Sequence, residues 1–130
     1  MKKILSLVCI ALFAISCSDD DSSTSTTSAT VIVKDASGDA VNGTAVYSFK
    51  DSSWEGFEGD TFFADSKVVT DSKGIAVFES LDYLGAFTRS SQETFHFSVH
   101  YNIGDKEYEV SEDATFKKGE SKTITITVNN

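Results

Sequence analysis

Apolar and polar residues alternate along most of the C-terminal two thirds of the chain. In Thr123-Ile124-Thr125-Ile126-Thr127-Val128 the aliphatic residues fall on one face and the threonines on the other, the period-two signature of a half-buried strand. Phe95, Phe97, Val99 and Tyr101 repeat it, with His96, Ser98 and His100 opposite. The turn residues 102–105 then lead into Glu107-Tyr108-Glu109-Val110, which reads as an antiparallel hairpin. Earlier strands are predicted over Thr30–Lys34, over Thr44–Lys50 with Ala45, Tyr47 and Phe49 on one face, over Lys67–Thr70 and over Ile75–Glu79. Turns rich in Gly and Asp separate them at 35–39, 71–74 and 117–120, and helical periodicity is nearly absent. About seven short strands in a segment of this size predict an all-β fold, a single antiparallel β-sandwich. A small closed barrel is the alternative.

The N-terminal pattern is different. Lys2 and Lys3 precede residues 4–15, which are apolar except for Ser6. A membrane-spanning helix needs about 20 apolar residues, so this run reads as a cleaved secretory signal over residues 1–16. Ala14-Ile15-Ser16-Cys17 resembles the lipobox of bacterial lipoproteins, which implies that Cys17 becomes the first residue and is acylated. Cys9 leaves with the signal, so Cys17 would otherwise remain as a thiol without a disulfide partner, the reading to set against acylation. Ser18-Asp19-Asp20-Asp21 resembles the acidic surface-export signal that follows the lipidated cysteine in Bacteroidetes lipoproteins; a solvated acidic linker is the alternative. The resemblance implies an outer-membrane protein, lipid-anchored and facing the cell exterior. Residues 17–29 are otherwise Ser, Thr and one Ala, a composition expected to form a disordered tether. The folded domain is expected over residues 30–130.

Of 130 residues, 11 are basic and 20 acidic, a formal net charge of −9. Loss of Lys2 and Lys3 would leave nine basic residues and a net −11. Such a balance opposes nucleic acid as a partner, because phosphate binding rests on Lys and Arg. The chain has no proline, so turns fall to Gly, Asn and Asp.

Val31 to Asp35 followed by Gly38, Val41 and Gly43 to Val46, then Thr70-Asp71 with Gly74, Ala76 and Phe78, resemble the carboxypeptidase-regulatory-like, transthyretin-like sandwich domain. The resemblance continues through Phe97 to Tyr101 and from Gly119 to Val128. It implies an Ig-like or transthyretin-like β-sandwich that serves as a non-catalytic accessory module, and it supplies no active-site residues. Within this reading, the Asp-to-Gly loop after the first strand turns a first hairpin. The stretch from Asp51 to Asp65 is long, and is expected to hold either an extra strand near Thr61–Ala64 or a protruding loop.

Two function classes follow. The first is a surface interaction or structural module contacting an outer-membrane protein or another chain, with exposed strand edges as contacts. The second is a glycan binder, with Trp54 and Phe57, and Tyr83 and Phe87 from a second loop, as a stacking platform. Those rings are otherwise expected to cap the core. Asp51, Glu55, Glu58 and Asp60 are candidate Ca²⁺ ligands, although their spacing departs from the alternating acids of an EF-hand, and solvated loop charge is the default. His96 and His100 lie on one strand face about 13 Å apart, too far to share an ion. No serine sits in a nucleophile-elbow context, no cofactor is implied, and an enzyme is not expected.

Overall fold

The computed structural model describes residues 26–83, 85–88 and 90–129. Seven strands, β1 (Ser28–Asp35), β2 (Ala45–Lys50), β3 (Ser66–Val69), β4 (Ile75–Phe78), β5 (Gln92–Ile103), β6 (Lys106–Lys117) and β7 (Ser121–Val128), form two sheets. One has three strands in the order β4-β1-β7 and the other four in the order β3-β2-β5-β6. All neighbouring pairs are antiparallel except β1 and β7, which run parallel.

The sheets pack face to face through the side chains that period-two alternation directs inward. Val31, Val33, Ala76, Phe78, Ile126 and Val128 come from the smaller sheet, and Val46, Phe95, Phe97, Val99 and Phe116 from the larger, all buried in one cluster with Leu81. Phe97 meets Phe78 across the core at 5.4 Å and Phe95 meets Phe116 edge-on at 5.6 Å. Offset and edge contacts of this kind are the favoured aromatic geometries. The three threonines of β7 are exposed while Ile126 and Val128 are buried, as the alternation requires.

Several boundaries differ from the sequence reading. The fold starts before Thr30: β1 begins at Ser28 and Thr27 is fully buried, its Oγ1 accepting from Gly119 N at 2.7 Å. The loop after β1 does not close a β1–β2 hairpin, since those strands belong to different sheets. The Asp35 carboxylate accepts from Ser37 N and Asp39 N, a lone bridge joins Lys34 to Ala40, and the chain then crosses to the other sheet. β6 runs unbroken to Lys117, well past Val110. As an edge strand it is solvated over most of both faces, so residues 111–115 need no apolar alternation. The predicted hairpin turns on Gly104-Asp105, with Gly104 at φ +65°, the conformation a II′ turn asks of glycine at its first central position.

Direction fixes two ends. Leu81 N donates to Thr27 O, Ser28 N to Glu120 O and Lys118 N to Ser91 O. The entry of the chain, the start of β5 and the β6–β7 turn therefore share one end, the base. The β5–β6 turn is at the opposite end, the tip, and 12 residues of β5 set the two about 40 Å apart.

Candidate functional site

β2 ends at the base, and the chain leaves it for the 51–65 excursion before returning as β3. No strand forms there. Instead helix α1 (Asp51–Phe57) is followed by a single 3₁₀ turn at Thr61–Phe63. α1 stops where Glu58 and Gly59 both adopt positive φ, at 52° and 73°. The 3₁₀ turn starts where the Asp60 carboxylate accepts from Phe62 N at 2.9 Å. A seven-residue helix is too short to hold itself together, and α1 buries none of its residues completely. Contacts with the outer face of the larger sheet must hold it.

Those contacts converge on His96. Its Nε2 lies 2.7 Å from Asp51 Oδ1, and its imidazole stacks on the Trp54 ring at 4.8 Å between centroids and 4° between planes. Trp54 also packs edge-on against Phe49 at 5.1 Å. Phe49 points outward from β2, paired with His96 on β5, yet is fully buried because α1 roofs it. Gly59 completes the seat: a Cβ there would approach the indole to 3.0 Å. Trp54 is thus partly buried with one face occupied, and not an open stacking platform.

The exposed rings are its neighbours. Phe57 and Phe63 stack at 4.0 Å and Phe62 stands edge-on to Phe63, with 46%, 42% and 85% of their surfaces exposed. Tyr83 and Phe87 do not join this group. Both pack against Phe95, on the inner side of the same sheet, at 5.8 and 5.9 Å. The Tyr83 hydroxyl contacts Ser48 Oγ at 3.1 Å, and burial pushes its pKa up against the opposing effect of that hydrogen bond.

The candidate calcium ligands are dispersed by the same geometry. Asp51 is engaged by His96 and Asp60 by the 3₁₀ turn. Among the described residues no three His, Cys, Asp or Glu side chains gather to hold a metal ion. Asp51 and Glu55 line instead an open polar cleft of about 420 Å³ between α1 and the loop before β5, with Ser52, Thr88, Gln92 and Glu93 among the other walls.

Further toward the tip, His100 meets Tyr47 edge-on, with its Nδ1 3.3 Å from Glu107 and its Nε2 3.8 Å from Glu109. His96 and His100 share the outer face but engage separate carboxylates. Between them Ser98 Oγ is fully buried and has no hydrogen-bond partner among the described residues, so neither imidazole activates it. Beyond the last β2–β5 pair, Val46 with Val99, the β5–β6 hairpin overhangs the sandwich. There Tyr101 and Tyr108 stack at 5.6 Å, and Ile103 and Tyr108 are 45% and 39% exposed.

The sequence pattern places His96 on its face without showing its partner, because Asp51 is 45 residues away along the chain. Phe62 and Phe63 stood in the excursion without a role. Cys17 and Ser18, Asp19, Asp20 and Asp21 lie outside the described residues. No protein-family model matches this chain, and no curated protein sequence matches it.

Proposed function

We propose that the chain is a non-catalytic surface lipoprotein of Bacteroidetes type, anchored in the outer membrane through acylated Cys17, directed outward by Ser18 to Asp21, and acting as an interaction module built on a carboxypeptidase-regulatory-like, transthyretin-like sandwich. The observation that supports it best is the two-ended layout. The chain enters at the base, and the β5–β6 hairpin exposes apolar surface at the far end through Ile103 and Tyr108, the latter stacked on Tyr101. Exposed apolar patches rimmed by polar residues mark protein contacts, and here Glu107 and Glu109 supply an acidic rim that suits a basic-rimmed partner. A photocrosslinking residue at position 108 should give one discrete adduct on intact cells, and one at the threonine-lined outer face, position 125, should give none. Equal labelling at both would sink the tip as the contact. Acylation is checked separately by the mass of the N-terminal peptide.

A glycan-binding role is the second reading. The cleft beside α1 favours it, because carboxylate, hydroxyl and amide groups there can accept and donate hydrogen bonds to sugar hydroxyls. Saturable change in Trp54 emission on titration with polysaccharides would support it; a flat response to every polysaccharide would remove it.

A further inference from the structure

The excursion that carries Phe57, Phe62 and Phe63 leaves β2 and rejoins β3 at the base, the end where the chain enters the fold. The entry point is tied there by three hydrogen bonds, from Leu81 N to Thr27 O, from Gly119 N to Thr27 Oγ1 and from Ser28 N to Glu120 O. From Cys17 to Thr27 is ten residues of chain, which span at most about 36 Å when fully extended. Given the lipid on Cys17, the base is held within that distance of the bilayer, whereas the tip sits a further 40 Å or so along β5. The excursion that carries the most exposed aromatic ring of the described residues, Phe62, is therefore rooted at the end of the domain nearest the lipid.

Resting on the lipid-anchored reading, we infer that Phe57, Phe62 and Phe63 form a second, weak membrane contact that docks the base of the domain on the bilayer interface. Aromatic rings are suited to that interface, and Phe62 projects with 85% of its surface free. Three rings bind marginally from solution. Tethering changes this, because a short linker turns docking into an intramolecular event at an effective concentration on the order of millimolar. Docking also orients the domain, setting the Tyr101–Tyr108 tip outward.

The chain beginning at Cys17 has no other cysteine, so its thiol can be coupled to a maleimide lipid in phosphatidylcholine vesicles. This makes the contact testable whether or not cells acylate Cys17. Phe62→Trp and Ile103→Trp variants are compared in vesicles with and without brominated acyl chains, with the unsubstituted protein giving the Trp54 background and circular dichroism verifying the fold. The expected result is quenching of the position 62 signal by about half or more, and no quenching at position 103. Absence of quenching at 62, or equal quenching at both positions, overturns the contact. So does a blue shift of the position 62 emission with protein concentration in the absence of vesicles, which would assign the three rings to contact with a second copy of the chain. The mass of the Cys17 peptide in cell-derived protein tests the anchor itself, so failure of the anchor and failure of the aromatic contact are read by different measurements.

Discussion

Trp54 and His96 stack ring on ring, 4.8 Å apart and 4° from parallel, while Asp51 from the same helix closes on the imidazole Nε2 at 2.7 Å. The two helical residues are three apart, one turn, which puts both on the face that meets the sheet. His96 thus makes two of the contacts that hold a helix with no side-chain N-cap and no fully buried residue, and Phe49 makes a third. The site is a docking joint before it is anything chemical.

His96→Ala should release that joint. An aromatic stack adds about 0.5–1.5 kcal/mol beyond burial, and a hydrogen bond to a charged group about 1.5–3 kcal/mol; with Asp51 half exposed, a loss of about 2 kcal/mol in urea unfolding is expected. Trp54 is the only indole, so its emission should shift to the red. An unchanged spectrum would mean that Phe49 and Gly59 seat the ring without the histidine.

Gly74→Ala should cost about 2 kcal/mol or more, because a non-glycine residue at φ +75° is strained by about 1–3 kcal/mol and its Cβ would lie 2.6 Å from Val33 O. Val33 N donates to Gly74 O at 2.8 Å, so the clash falls on the contact joining the turn to β1. Gly38→Ala is the comparison, with equally positive φ but open space around the Cβ. Equal melting temperatures for the two variants would show that the close approach carries no energy.

The turn before Gly74 sets an acid-sensitive contribution. Hydrogen bonds from Ile75 N and Lys73 N hold the Asp71 carboxyl below its ordinary value of 3.8. A depressed folded pKa means that the unfolded chain takes up the proton first, so the stabilisation is complete above the unfolded pKa and disappears as pH falls through the lower, folded one. Asp71→Asn should therefore flatten the fall of stability below about pH 4. Unfolding curves of the two proteins between pH 6 and 2 test this; parallel curves would reject it.

Strands whose two faces differ were legible because alternation records one dry side and one wet side. β7 reads directly, and so does β5, whose Phe95, Phe97 and Val99 reach the core as expected. The features that alternation does not encode depend on contacts between distant residues. Residues 111–115 of β6 gave no strand pattern because an edge strand can be polar on both sides. α1 has only Trp54 and Phe57 as large apolar residues, too few to mark a helix until Phe49 and His96 are seen beneath it. The grouping of Trp54 with Tyr83 failed for a related reason: both lie in segments between strands, and only the pleat tells which side of the sheet each one meets.

Ser98 lies on the same outer face, between His96 and His100. Its neighbours across the ladder are Tyr47 on β2 and Ser111 on β6, and its hydroxyl is buried without a partner among the described residues. A buried polar group left unsatisfied costs about 1–3 kcal/mol, while loss of one small oxygen leaves a cavity too small to offset that. Ser98→Ala should then raise stability, by roughly 1 kcal/mol once the lost packing is included. A hydroxyl that instead binds an ordered water would reverse the sign, since such waters typically make about three hydrogen bonds and are costly to remove. Urea denaturation separates the two: a higher midpoint at unchanged slope identifies an orphaned hydroxyl, and a lower one identifies a hydrated site between His96 and His100.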